Sequence, residues 1–393
     1  MVHYDPFDYR IQEDPYPIYR QLRDAAPAYY NEQRDFWALS RYDDVRAALI
    51  DHDTYCSRHG FLLEDIGELG LPMVLAMDPP DHTRVRGTIN RALTPRRVTA
   101  LAEPIRRMAF ALLDRVAPSG RADIVADFAA LLPMNVISEL LCVPEVDRDR
   151  LRGWADDMVH REDGVKGLPQ RGIEAATQIV GYFDAMLRQR AAAPEDDLLS
   201  LLLEAEAHGE ITHMELLGFC FLLIIAGNET TTKLIGNMTY QLSQHPAQRR
   251  RLRDDPALIP NAVEEVLRYE SSTHMMARTL TRDVTLHGHT MPRGKKVALI
   301  LASANRDERQ WPQPEEFDVG RDTAGTLAFG FGIHHCLGAS LARLEGTIAL
   351  KEIMARIPDF TVDLAGLERV HSANVRGFSR LPITFTPSPA RRQ

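Results

Sequence analysis

Apolar residues recur three and four positions apart over residues 17–25, 42–50, 81–93, 97–116 and 177–190, so each stretch is predicted to be a helix with one face toward a core. Strand signals are short and few: 28–30, 36–39, 284–286 and 296–301. The last two are separated by turn chemistry at His287-Gly288 and Pro292-Arg293-Gly294. The pattern predicts a mainly α protein with a small β portion. No repeat, low-complexity tract or Gly/Ser linker divides it, so residues 1–393 read as one large domain.

The stretch from Met214 to about Ser243 stands apart. Thr212 and Glu215 have capping-box spacing, and no proline interrupts the pattern until Pro246. One helix of that length would run about 45 Å, enough to cross a domain and wall a central cavity. Its apolar half meets a polar knot, Asn228-Glu229-Thr230-Thr231-Thr232, where a buried carboxylate needs a partner. A local rule broken in this way marks either a functional site or a solvated kink.

Composition then narrows the class. Hydrophobic residues at 45% and charged residues at 26% are those of a globular chain long enough to enclose a cofactor. A formal charge of −9, with no basic run interleaved with aromatics, argues against nucleic acid. The opening MVHYDPFDYRIQEDPYPIY lacks the apolar core of a signal peptide, and the longest apolar run, 216–226, is shorter than the roughly 18 residues of a membrane span. A cytoplasmic monomer without a membrane span is expected. Cys56, Cys142, Cys220 and Cys336 lie far apart with no CxxC pair, which suggests neither disulfides nor a zinc cluster. The first three read as buried thiols.

Cys336 has unusual neighbours. It lies in Phe329-Gly-Phe-Gly-Ile-His-His-Cys336-Leu-Gly338, directly before a helical pattern over 339–357. The glycines imply backbone passing close to something flat or bulky, and the following helix would turn its amides toward the sulfur and favour the thiolate. This stretch resembles the haem-ligand signature F-x-x-G-x-H/R-x-C-x-G of the cytochrome P450 family, with every specified position present. The resemblance covers nearly the whole chain: Met77-Asp-Pro-Pro-Asp-His82-Thr-Arg-Val-Arg86, Ala226-Gly-Asn-Glu-Thr230, Glu265-Val-Leu-Arg268 and Arg278-Thr match further family motifs in order.

The resemblance implies the cytochrome P450 fold around a buried haem b, with Cys336 as axial thiolate, and His82, Arg86, Arg278 and His334 on the haem propionates. Glu265 and Arg268 would form a structural ion pair. The family's usual third basic residue is replaced by an acid in Pro314-Glu315-Glu316-Phe317, so Arg321 is the candidate substitute. Glu229 and Thr230 match the acid–alcohol pair that organises proton delivery to dioxygen. Gly227 would leave a groove for oxygen in the long helix. Substrate would touch the loop around 61–75, the helices near 156–183, and the segments 222–226, 273–277 and 374–378. Leu222, Leu223, Ala226, Met275, Met276 and Val375 there suggest a lipophilic guest such as a terpenoid, steroid, fatty acid or macrolide intermediate.

The implied reaction is a monooxygenation using O2, with electrons from a ferredoxin and ferredoxin reductase driven by NAD(P)H. Arg84, Arg96, Arg97, His335 and Arg343 are the basic residues that would steer an acidic ferredoxin. The competing reading is a haem-thiolate sensor or carrier. The acid–alcohol pair separates the two, because a sensor has no need to protonate dioxygen.

Overall fold

The computed structural model describes residues 2–64, 71–159 and 169–391. Helices dominate, and four of the five helical periodicities are recovered with ends shifted by a few residues: Tyr16–Ala25, Tyr42–Ile50, Asp81–Ala92 and Gln170–Ala192. The fifth is broken. Residues 97–116 belong to two helices, Pro95–Ala100 and Ala102–Val116. Thr94 caps the first by accepting from the Arg97 amide, and Pro104 has no amide to donate to the carbonyl of Ala100.

The long helix spans His213–Gln244, with both halves of the Thr212/Glu215 capping box formed. It is long and apolar enough to cross a membrane by length and composition, but most of its apolar window is buried inside the fold. It packs on Leu131–Leu140, Glu145–Val159, Gln170–Ala192 and Ala339–Arg356, which makes it the axis of the helical core.

A five-stranded sheet forms the other side, ordered Ala28–Asn31, Phe36–Leu39, Lys296–Leu299, Met276–Leu280, Tyr55–Cys56. The second and third strands are parallel and the other neighbours antiparallel, with Arg278 opposite Val297 and Thr279 opposite Cys56. Two β expectations are corrected. The strand from Lys296 ends at Leu299, and Leu301–Ala304 turns into a helix. The His287-Gly288 turn joins Val284–Leu286 to a further strand, His289–Met291. Both turn residues have positive φ, +51° and +79°, as a tight two-residue hairpin requires.

Candidate active site

The segment from Phe329 to Gly338 is built to hold a sulfur. Gly330 and Gly332 take left-handed φ of +69° and +71°. At Gly332 a Cβ would lie 2.6 Å from the Leu49 carbonyl oxygen, so the helix Tyr42–Ile50 braces the loop only because no side chain intervenes. The Cys336 amide donates to the Phe329 carbonyl at 2.8 Å, and that of His335 to Gly332 at 3.1 Å. Arg343 and Arg46 lie over the Phe329 and Phe331 rings at 4.5 and 4.7 Å.

The Cys336 side chain is accessible although the residue is deeply set, which places it on a cleft wall. Desolvation pushes its thiol above the ordinary value, against the Gly338 amide, Arg86 and Arg343. The helix begins at Ala339, where the sequence places it, and in the chain alone burial of the sulfur outweighs the nearby Gly338 amide. A metal that selects the thiolate would have to drive the deprotonation.

Beside it lies a corner of basic side chains. His82 and Arg86 stand one turn apart on Asp81–Ala92, Arg278 comes from the sheet and His334 from the turn before Cys336. The His82 and His334 rings are 4.4 Å apart. His334 Nε2 meets Ser57 Oγ at 3.1 Å, while His334 Nδ1 and His82 Nε2, both buried, have no partner. Arg86 donates to the His335 carbonyl, and Arg278 to the adjacent Ala277 carbonyl at 2.8 Å.

Desolvation, reinforced by Arg278 and His82, pushes His334 down to about 3, and desolvation alone lowers Arg278 to about 10. His82 is lowered by burial and then by Arg86. Asp78, the acid of this corner, is already engaged by the Ser57 and Arg58 amides and the Arg58 side chain. Desolvated cations and orphaned imidazole nitrogens lack anions, and the two carboxylates of a haem fit that need.

Among the partly accessible residues of the long helix near the polar knot, Leu222, Leu223, Ala226, Gly227 and Thr230 form one stripe. Thr230 Oγ1 donates to the Ala226 carbonyl at 2.8 Å. Glu229 is buried and paired with Lys233 at 2.8 Å, while Thr232 Oγ1 donates to the Ala129 carbonyl at 3.0 Å. The knot is thus internally satisfied except for Asn228 Oδ1, and the helix runs on unbroken. Lys233 escaped the sequence reading, although its spacing of four from Glu229 was the available signal. At Gly227, which is partly accessible, a Cβ would also meet the Ile137 side chain at 2.9 Å, so this glycine lets the helix Leu131–Leu140 approach.

The other expected residues divide. Met275 is core, 2% exposed among Tyr4, Tyr19 and Ile300, because alternation along the strand turns it away from Met276. Met276 and Val375 are half-buried, and Thr273 bridges to Val375. Of the other expected substrate segments, residues 65–70 and 160–168 lie outside the described residues. Glu265 and Arg268 form a bidentate pair at 2.7 and 2.9 Å, and Arg321 Nε reaches Glu265 at 3.2 Å, supplying the missing third partner.

The basic face is weaker than its residue count suggests. Arg84 is held by Glu215 at 2.6 Å, Arg343 by Glu264 at 2.6 Å and Arg97 by Asp196 at 3.8 Å, which leaves exposed Arg96 and half-buried His335. Cys56 and Cys220 are buried free thiols as expected, whereas Cys142, expected to be buried, is only half-buried.

Comparison with known proteins agrees with this geometry. The cytochrome P450 family model matches residues 166–382. The chain is 42% identical to cytochrome P450 123 of Mycobacterium tuberculosis, over 97% of this chain and 96% of that protein. It is 39% identical to the vitamin D(3) 25-hydroxylase of Pseudonocardia autotrophica, over 98% of each. The solved structure of CYP109Q5 from Chondromyces apiculatus superposes with a TM-score of 0.90 at 35% identity, covering 99% of this chain and all of that one. A buried sulfur loop, a cationic corner and an acid–alcohol pair on one long helix are thus found in a chain that belongs to the cytochrome P450 family, whose members are monooxygenases that bind haem through a cysteine thiolate.

Proposed function

We propose that this chain inserts one atom of O2 into a lipophilic small molecule, at a haem held through Cys336 and anchored by His82, Arg86, Arg278 and His334. The observation that carries this reading is Thr230, a hydroxyl on the accessible stripe of an otherwise buried helix with the buried acid Glu229 beside it. Haem supplies the redox chemistry that activates dioxygen when bound.

The protein's part is to hold and move protons. Thr230 Oγ1 gives its hydrogen to the Ala226 carbonyl and so leaves its lone pairs turned outward to accept a proton donor. Glu229 is the titratable group next to it. Leu222, Leu223 and Ala226 exclude water from the same stripe and offer apolar contact. A relative named for hydroxylating vitamin D(3), a lipophilic molecule, supports the guest class. Electrons would come from a ferredoxin and its reductase, docking near Arg96, and the cytoplasm is the compartment this implies.

The test has two arms. The reduced carbon monoxide complex should absorb at the long wavelength typical of thiolate ligation, and Cys336→His should abolish that band; survival of the band removes Cys336 as ligand. Thr230→Ala should keep the native spectrum while lowering product formed per NADPH oxidised and raising hydrogen peroxide. Unchanged coupling would end the role given to Thr230. NADPH consumption without oxygenated product from any guest that perturbs the haem would favour the sensor.

A further inference from the structure

A second concavity lies away from the cleft that holds Cys336. It is an open groove of about 920 Å³ between the helix Tyr16–Ala25, the C-terminal end of the long helix and the segment that carries Arg369 and Arg376. Tyr240, on its wall, stands ten residues, about 15 Å, beyond Thr230 along the long helix.

The floor of the groove carries three guanidinium groups, Arg306, Arg369 and Arg376, with side chains 5%, 12% and 7% exposed. Two carboxylates answer them. Glu315 takes Arg306 at 2.7 Å, and Glu270 takes Arg376 at 2.6 Å while lying 3.8 Å from Arg306 and 3.9 Å from Arg369. Burial opposes the Glu270 charge, yet Arg376, Arg306 and Arg369 together hold its carboxyl down at about 2, so it is a full anion shared three ways. One positive charge is left over.

The surplus falls on Arg369. Arg306 is clamped between the Tyr16 and Tyr269 rings at 3.4 and 3.8 Å and donates to the Tyr269 carbonyl at 2.8 Å. Arg376 also donates to the carbonyls of Gln12 and Glu13. Arg369 lies over the Phe378 and Tyr240 rings at 4.6 and 5.4 Å, its Nη1 is buried without a hydrogen-bond partner, and Glu270 is too distant to accept from it. A desolvated cation with an open donor is costly to keep. The acids of the rim have other partners: Asp24 lies with Arg309 at 3.6 Å and Arg20 at 3.9 Å, and Glu13 meets His371 at 2.9 Å. Asp14 stays exposed at the mouth.

We propose that this groove binds a small organic monocarboxylate, whose two oxygens take the open side of the Arg369 guanidinium while its body lies along Tyr240 and exposed Gln244. The planar fork of the guanidinium selects a planar oxyanion. The surplus selects a single charge. A phosphate monoester would bring about two, and the second would face Glu270, Glu315 and Asp14 without a cation of its own. The site is independent of the monooxygenase reading and stands or falls without it.

Calorimetric titration of the holoprotein at neutral pH is the test, with sodium benzoate as the monocarboxylate and inorganic phosphate as the competing anion. Benzoate should bind saturably, and Arg369→Gln should weaken that binding on the order of tenfold while leaving the carbon monoxide spectrum unchanged. Gln244→Glu, an exposed change that adds a negative charge to the groove wall, should weaken it about threefold, and it carries the test if Arg369→Gln fails to fold. Absence of saturable benzoate binding overturns the proposal. So does benzoate binding that the variants leave unaltered, since that benzoate sits in the cleft at Cys336. Phosphate that binds more tightly than benzoate overturns the choice of a monocarboxylate.

Discussion

Arg268→Met should be among the most destabilising single changes in this chain. Arg268 and Glu265 are both 0% exposed, and the guanidinium makes two bonds to the carboxylate, at 2.7 and 2.9 Å. It also donates to the carbonyls of Asn305 at 2.9 Å, Pro314 at 3.1 Å and Glu316 at 3.3 Å, so one side chain ties the helix Ile259–Tyr269 to the segment before the Cys336 loop. Methionine fills much of the volume but leaves the Glu265 carboxylate with only the Asp318 amide at 3.0 Å and Arg321 at 3.2 Å. Breaking a buried pair on one side costs about 3–5 kcal/mol, a large share of a folding stability of roughly 5–15 kcal/mol.

Arg321→Met removes one contact to Glu265 and three bonds to the carbonyls of Pro312 at 2.6 Å, Gln313 at 3.0 Å and Glu316 at 3.0 Å, but it starts from a side chain that is 12% exposed and leaves Arg268 on the carboxylate, so it should cost less, about 1–3 kcal/mol. Pairing Glu265→Gln with Arg268→Met should recover part of the loss, because no buried charge is then left alone. Equilibrium denaturation of the holoprotein, followed in parallel by the haem absorption band and by tryptophan fluorescence, gives the three values. If Arg268→Met costs no more than Arg321→Met, the account of this triad as scaffold is wrong.

Two further outcomes are expected. Burial alone raises Glu345 to about 8 from an unfolded value of 4.5, so the folded chain keeps a proton that the unfolded chain has lost, and stability falls as pH rises between those values. The loss should reach a few kcal/mol by pH 8, and Glu345→Gln should flatten this slope in denaturation measured from pH 5 to pH 8; an equal slope in the variant would refute it. Gly332→Ala would place a side chain at φ +71° and 2.6 Å from the Leu49 carbonyl oxygen, so it should cost at least about 1–3 kcal/mol and lower haem occupancy, read as absorbance per protein.

What could be read from the sequence followed the range of the interaction. The capped ends of His213–Gln244 depend on residues three apart, and both cap bonds form. The break at Leu101 depends on Pro104, a local signal that the continuous apolar period concealed. The strand His289–Met291 is three residues long, too short for alternation to register. In the site, Cys336, His82, Arg86, Arg278 and His334 were legible only through family motifs, since no local period links residues 82, 278 and 334. The packing facts were not legible at all. That Met275 faces the core while Met276 does not, that Gly227 meets Ile137, and that Gly377 admits Lys233 depend on partners far away in sequence.

The expected haem residues share a physical character that bears on how the site is kept. Burial pushes His82, His334, Arg86 and Arg278 toward their neutral forms, and it pushes the Cys336 thiol away from ionisation. Each of these groups is disfavoured in its charged form in the folded chain, and its neighbours offset burial only in part: His82 Nε2 and His334 Nδ1 stay unpartnered, and Asp78 is held mainly by Ser57 and Arg58. A corner assembled for stability would contain acids or apolar groups instead. The distal knot shows the opposite choice, since Glu229, Thr230 and Thr232 all find partners within the protein. The two sides of the cleft therefore differ in what they require. The sulfur side carries cations and imidazoles that an anionic, metal-bearing group would satisfy, and its binding free energy would add directly to folding, whereas the polar knot of the long helix is satisfied by protein partners apart from Asn228 Oδ1.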